Sequence, residues 1–236
     1  MSNAETTSDD LPVYQIRISQ RAKRMQLKIS PLGEVEVVLP KRVSPKHVAP
    51  FVAQHQTWIQ QTQQQMAALY PPEELLPGTL NFAATQQQWQ LEYLEGIRPR
   101  VAEIEGTLKV YSQDDEAARK ALQRWLNRRA DEILVPWLRE VSDETGLTFK
   151  RAVIRAQKSR WGSCSSSGTI SLNRALLFMP PQTVRYLFIH ELCHTREMNH
   201  SARYWALVER YMPNYLQHEQ VLSKGIRSVP RWALAI

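Results

Sequence analysis

HELCHTREMNH, residues 190–200, holds three of the six histidines of a 236-residue chain. Pro180 and Pro181 open a helical stretch, QTVRYLFIHELCHTREM, that runs into it. On such a helix His190 and His194 project about 40° apart and stand about 6 Å apart along the axis. That separation lets two imidazoles meet one tetrahedral ion at about 2 Å each. Glu191 lies about 100° round from His190, where it reaches a metal-bound water without displacing it. This is the H-E-x-x-H order, in which the ion acidifies water and polarises a carbonyl while the carboxylate takes the proton and returns it. The bland reading is of histidines satisfied on the faces of an ordinary helix.

A catalytic zinc centre needs three protein ligands and one open position. On an unbroken helix His200 would lie about 15 Å along the axis from His190, too far to join it. The chain must therefore break, and Asn199 tolerates the left-handed or capping geometry a break requires. Ser201 then starts the next helix, ARYWALVERYM. On this reading His190, His194 and His200 are the metal ligands and Glu191 is the catalytic base. Cys193 sits between the ligands on another helix face and reads as core. Cys164 is either a bystander or a fourth, inhibitory ligand. His47, His55 and His218 have no metal-ligand spacing and carry no role.

Upstream of the cluster, LTFKRAVIRA reads as a strand and SCSSSG, residues 163–168, as a turn. GTISLN alternates and forms a second strand. It is the candidate sheet edge to which an extended substrate adds. Arg160 and Ser163 are candidate substrate contacts, with a structural turn as the competing role for Ser163. Trp161, Tyr204 and Trp205 read as packing around the site.

The N-terminal half has a different texture. VYQIRIS, RMQLKIS and PLGEVEVVLP alternate as three strands, with SQRAK as a hairpin loop between the first two. Ser44 and Pro45 signal a capped helix start, Val48, Val52, Ile59 and Met66 mark its apolar face, and Pro50 kinks or delays it. The glutamine tracts at 60–65 and 86–90 read as a solvated helix face and strand surface. YPPEELLPG, residues 70–78, is a turn-rich connection before a second alternating region, 80–112. A long helix opens at Asp114, keeps Leu122, Trp125, Leu126, Ile133, Trp137, Leu138 and Val141 on one broad face, bends at Pro136 and stops at Gly146. These segments predict an α+β chain: a loose tail over 1–11, a β-rich domain with one helix over 12–113, and a metallohydrolase domain over 114–236.

Composition narrows the classes. Apolar residues at 43% and charged residues at 22% describe a globular, non-membrane chain. Two cysteines and no recognisable signal peptide predict a reducing, cytoplasmic setting. The net charge of +7 is uneven. Eight Lys/Arg face only Glu34 and Glu36 between Val13 and Lys46, and KRAVIRAQKSR, residues 150–160, has five basic residues and no acid. Such runs are either solvated surface or contacts for nucleic acid or nucleotide phosphate.

The order RWGSCSSSGTISLN, then HELCH, then NHSARYW resembles the YgjP-like metallopeptidase family, a group related to the SprT-like zinc proteases. The likeness is strong over 150–225 and looser over RMQLKISPLGEVEVVLPKRVS. It implies a minimal zincin-like catalytic domain of the gluzincin type, with Zn2+ on His190, His194 and His200 and with Glu191 as general base. The ligand spacing also equals that of the metzincins, but Glu197 stands where their turn glycine would be, and no Met-turn follows.

Three functions follow from these readings. The first is a zinc-dependent metallopeptidase acting on a peptide or protein, with metal-bound water activated by Glu191 attacking the carbonyl. The second is a nucleoside triphosphate (UTP-type) pyrophosphatase using the same centre, an activity assigned within the YgjP-like group; the absence of a phosphate-cradling glycine loop weakens it. The third is a nucleic-acid-binding module with structural zinc. A structural zinc normally closes with four protein ligands, whereas three are evident here.

Overall fold

The computed structural model describes residues 11–30, 33–69, 76–157 and 160–234, so the tail expected over 1–11 lies outside the described residues except for Leu11. The chain divides into two compact units, Met1–Glu73 and Glu74–Ile236.

In the first unit, β1 (Tyr14–Ser19), β2 (Gln26–Ile29) and β3 (Val35–Pro40) form a sheet in the order β1-β3-β2. β3 runs parallel to β1 and antiparallel to β2. The hairpin expected across SQRAK is therefore absent, and the hairpin is β2–β3, where Gly33 takes a φ of 79°. The reason lies in β3 itself: VEVVLP is apolar on both faces and almost wholly buried, so it takes the centre, leaving the alternating strands at the edges. Helices α1 (Val48–Gln54) and α2 (Gln56–Leu69) bring Val48, Val52 and Ile59 onto Val35, Val37 and Leu39. Pro50 sits in the first turn of α1, where its missing N–H leaves no gap. Ser44 caps a 3-10 turn at Pro45–His47 ahead of α1 without a side-chain hydrogen bond.

The second unit contains two sheets and four helices among its described residues. β4 (Thr79–Phe82), β5 (Gln87–Glu95), β6 (Arg100–Ile104) and β7 (Thr107–Ser112) pair in the order β4-β5-β7-β6. Helix α3 (Asp115–Thr145) begins where the Asp114 carboxylate accepts the Ala117 N–H at 2.7 Å and ends at Gly146 with φ 67°. Pro136 lies within α3 on an exposed turn, where water can satisfy the carbonyl it leaves unpaired. The two compact units meet at 73/74, whereas the sequence set a boundary near residue 113. Leu80, Phe82 and Trp89 share one core with Leu122 and Trp125 of α3, and Phe82 stacks on Trp125 at 5.8 Å.

The other sheet comprises β8 (Arg151–Arg155), β9 (Gly162–Cys164) and β10 (Thr169–Asn173) in the order β8-β10-β9. GTISLN therefore forms the central strand, flanked on both sides, and the edges are β8 and β9, of which β9 contacts α4. Helix α4 (Pro181–Cys193) is buried through Phe188, Ile189 and Leu192. It ends at Cys193, earlier than the break expected at Asn199. The Thr195, Arg196 and Glu197 N–H groups fold back onto the Leu192 and Cys193 carbonyls, and the Thr195 hydroxyl also donates to Leu192 O at 2.7 Å. Helices α5 (Ala202–Tyr211) and α6 (Tyr215–Lys224) follow.

Candidate metal centre

The last turn of α4 carries His190 and Glu191, and His194 stands at its C-cap. The five residues 195–199 reverse the chain before α5, whose start is set by the Ser201 side chain accepting the Tyr204 N–H at 3.4 Å. His200, the residue before that cap, is thereby returned to the helix end. One ligand nitrogen from each of His190, His194 and His200 lies within 4.8 Å of the others. The Nε2 atoms of His190 and His200 are 3.3 Å apart.

Partners around the rings fix which nitrogen faces inward. His194 Nδ1 stands 3.1 Å from Glu197 O, and a carbonyl only accepts, so Nδ1 carries the proton and Nε2 offers its lone pair. His190 Nδ1 faces the Tyr186 hydroxyl at 3.4 Å. The Tyr204 hydroxyl donates to His190 O at 3.0 Å, and its ring stacks on His194 at 4.5 Å. Trp205 stacks on His200 at 5.6 Å. Burial, then the charges of His194 and His200, pull the His190 imidazole down to about 3. Burial also lowers His194. Both rings are held neutral, the form that ligates.

Glu191 is 3% exposed. Its Oε2 has no hydrogen-bond partner, and its Oε1 lies against β9 so closely that a Cβ on Gly162 would stand 2.6 Å away. Burial pushes this carboxyl up to about 8, with the Arg160 charge acting the other way. Arg160, Gly162, Ser163 and Cys164 form one wall of a cleft of about 280 Å³; the histidines, Glu191 and Met198 complete it.

Strand β9 offers this cleft a backbone edge. Asn173 N donates to Trp161 O at 2.8 Å and Ser165 N to Thr169 O at 2.9 Å. With Ser163 opposite Ser171, these bonds set the antiparallel alternation. Trp161, Ser163 and Ser165 turn their backbone groups toward β10, and Gly162 and Cys164 turn theirs outward.

The profile of the YgjP-like metallopeptidase domain matches residues 23–225. This chain belongs to that family. No curated protein matches the sequence. Among solved structures it is similar to the metallopeptidase zymogen abylysin of Pyrococcus abyssi, at 26% identity over 40% of this chain and 96% of that one, with a TM-score of 0.37. It is also similar to the zymogen jannalysin of Methanocaldococcus jannaschii, at 17% identity over 39% and 96%, with a TM-score of 0.35.

Membership of the YgjP-like family implies a divalent metal, and the residues present fit one. Tetrahedral bonds of about 2.0–2.1 Å place ligand nitrogens about 3.3 Å apart, the spacing found between His190 and His200. Beside the three rings, the Glu191 Oε2 is a buried polar oxygen with no hydrogen-bond partner. Among the described residues the ligand group contains the three histidines alone. Cys164 lines the cleft without joining them, and burial and the Glu191 charge push its thiol up to about 11. Cys193 is fully buried.

Of the two candidate substrate contacts, Arg160 lines the cleft, and Ser163 does so from within β9 rather than from a turn. Trp161 is anchored by its indole N–H to Leu222 O at 2.9 Å. The sequence reading missed Gly162, Tyr186 and the outward edge of β9. Tyr186 was findable, since it stands four residues before His190 on the same helix face. His218, given no role, stacks on Tyr186 at 6.4 Å. No described helix is long and apolar enough to cross a membrane.

Proposed function

We propose that this chain is a zinc-dependent metallopeptidase in which His190, His194 and His200 hold Zn2+ and Glu191 is the general base. The observation that carries the reading is the convergence of three imidazole nitrogens beside a buried carboxylate whose Oε2 has no partner. When bound, the ion supplies a Lewis acid that acidifies water and polarises a carbonyl. The Glu191 carboxylate takes the proton of the attacking water and delivers it to the departing amine. Tyr186 and Glu197 O orient the ligand rings through their Nδ1 atoms. An extended peptide pairs with the outward backbone groups of Gly162 and Cys164, which positions its carbonyl above the ligand helix.

Replacing Glu191 by Gln keeps the size of the side chain and removes the base. Glu191→Gln is expected to retain zinc at the wild-type ratio while peptide turnover falls at least about a hundredfold. Full turnover in that variant rejects the assignment.

The nucleotide reading rests on the basic run at 150–160, yet of its described cations only Arg160 lines the cleft. Release of pyrophosphate from UTP by the zinc-loaded protein, abolished by His190→Ala, would restore that reading. Nucleic acid as a recruiting partner through unit 1 stays a separate proposal. It requires binding that weakens steeply with salt.

A further inference from the structure

The cleft lining includes one arginine, whose charge acts on Glu191. Arg160 is exposed and joins none of the ion pairs among the described residues. Its backbone is fixed, because Asn173 Nδ2 donates to Arg160 O at 2.8 Å and the next residue is bound to β10 through Trp161 O. The guanidinium thus rises from a rigid base at the entrance to β9. The reacting centre lies by Gly162, where Glu191 touches the strand. Arg160 stands two residues before that point, across the bend at Trp161, so no more than about 7 Å of chain separates them.

Direction follows from strand pairing. Antiparallel addition is the more stable mode, and a peptide laid antiparallel on β9 runs toward Arg160 as it leaves the cleaved bond. An exposed guanidinium with no ion-pair partner within reach among the described residues, placed there, can recognise a carboxylate bidentately. Resting on the peptidase reading, we infer that the substrates of this site carry a carboxylate one or two residues after the cleaved bond, and that Arg160 is the specificity-determining residue that binds it. The carboxylate is either an Asp/Glu side chain or the free C-terminus of the peptide.

The test uses zinc-loaded full-length protein and a degenerate peptide library in amidated and free-acid forms, with cut sites mapped by mass spectrometry. Asp and Glu are expected to be enriched about tenfold over Asn and Gln at the first or second position after the cut. If the C-terminus is the ligand, cuts near the end appear in the free-acid form and vanish in the amidated one. Arg160→Lys keeps the preference and Arg160→Glu exchanges it for Lys and Arg, with equal zinc content throughout. In the Glu191→Gln background, which leaves the peptide intact, Arg160→Glu weakens calorimetric binding of an Asp-bearing peptide about tenfold. Cleavage with neither a charge preference nor a dependence on the free C-terminus, with the preference before the cut, or with a preference unchanged in Arg160→Glu overturns this inference and leaves the peptidase reading standing. A zinc-loaded protein that cuts no peptide overturns both.

Discussion

Glu191 is held between two neighbours of opposite kinds, the helix α4 that carries it and the bare backbone of Gly162. A methyl group at 162 would lie 2.6 Å from Oε1 and 3.0 Å from both Cδ and Cγ, so the carboxylate has to move. Displacing a catalytic group by about 1 Å costs on the order of a hundredfold in rate. Gly162→Ala is therefore expected to lower kcat about a hundredfold while KM and zinc content stay near wild type. Shortening the acid in the same chain, as Gly162→Ala with Glu191→Asp, should recover part of that loss relative to the product of the single effects. Unchanged kcat in Gly162→Ala would show that the contact does not position the base. The grouping of His190 and His194 beside Glu191 was legible because helix geometry converts a spacing of four into a shared face. Gly162 was not, since a glycine's importance lies in what approaches it, and Glu191 is far away in sequence.

At the scale of elements, β9 is short and its two backbone directions do different work. The Ser163 N–H faces β10, whereas the Cys164 N–H faces outward. Proline at 164 removes only the outward donor, and proline at 163 removes a ladder bond. Cys164→Pro is expected to leave the melting temperature and zinc content unchanged and to lower kcat/KM about tenfold, the worth of one substrate hydrogen bond. Ser163→Pro should lower the melting temperature. Equal kinetics for Cys164→Pro and wild type would remove β9 as the substrate edge. The alternation in GTISLN identified a strand and could not reveal its neighbours, because pairing partners are set by contacts distant in sequence. The same limit explains the misplaced hairpin in the first sheet, where the doubly apolar β3 claims the centre over the sequential neighbour. The end of α4 was misplaced for a local reason: the Thr195 hydroxyl and three backbone N–H groups close the helix at Cys193.

For the whole molecule, the division between units is a matter of which core each segment serves. The start of a long helix at Asp115 looks like a boundary in sequence, yet Phe82, Trp89 and Trp125 form one aromatic cluster across it. A fragment spanning 74–236 is expected to fold cooperatively and bind zinc, as followed by circular dichroism and metal titration. A fragment spanning 114–236 exposes the Trp125 face of α3 and is expected to aggregate or remain unfolded. Folding of the shorter fragment with full zinc affinity would contradict the shared core. The central claim is that three histidines of unit 2 ligate one metal and leave a position open. X-ray absorption at the zinc edge of the loaded full-length protein tests it most directly. The expected first shell is three imidazole nitrogens and one solvent oxygen at about 2.0–2.1 Å. A sulfur at about 2.3 Å, which would bring in Cys164, or a fourth imidazole would contradict the account.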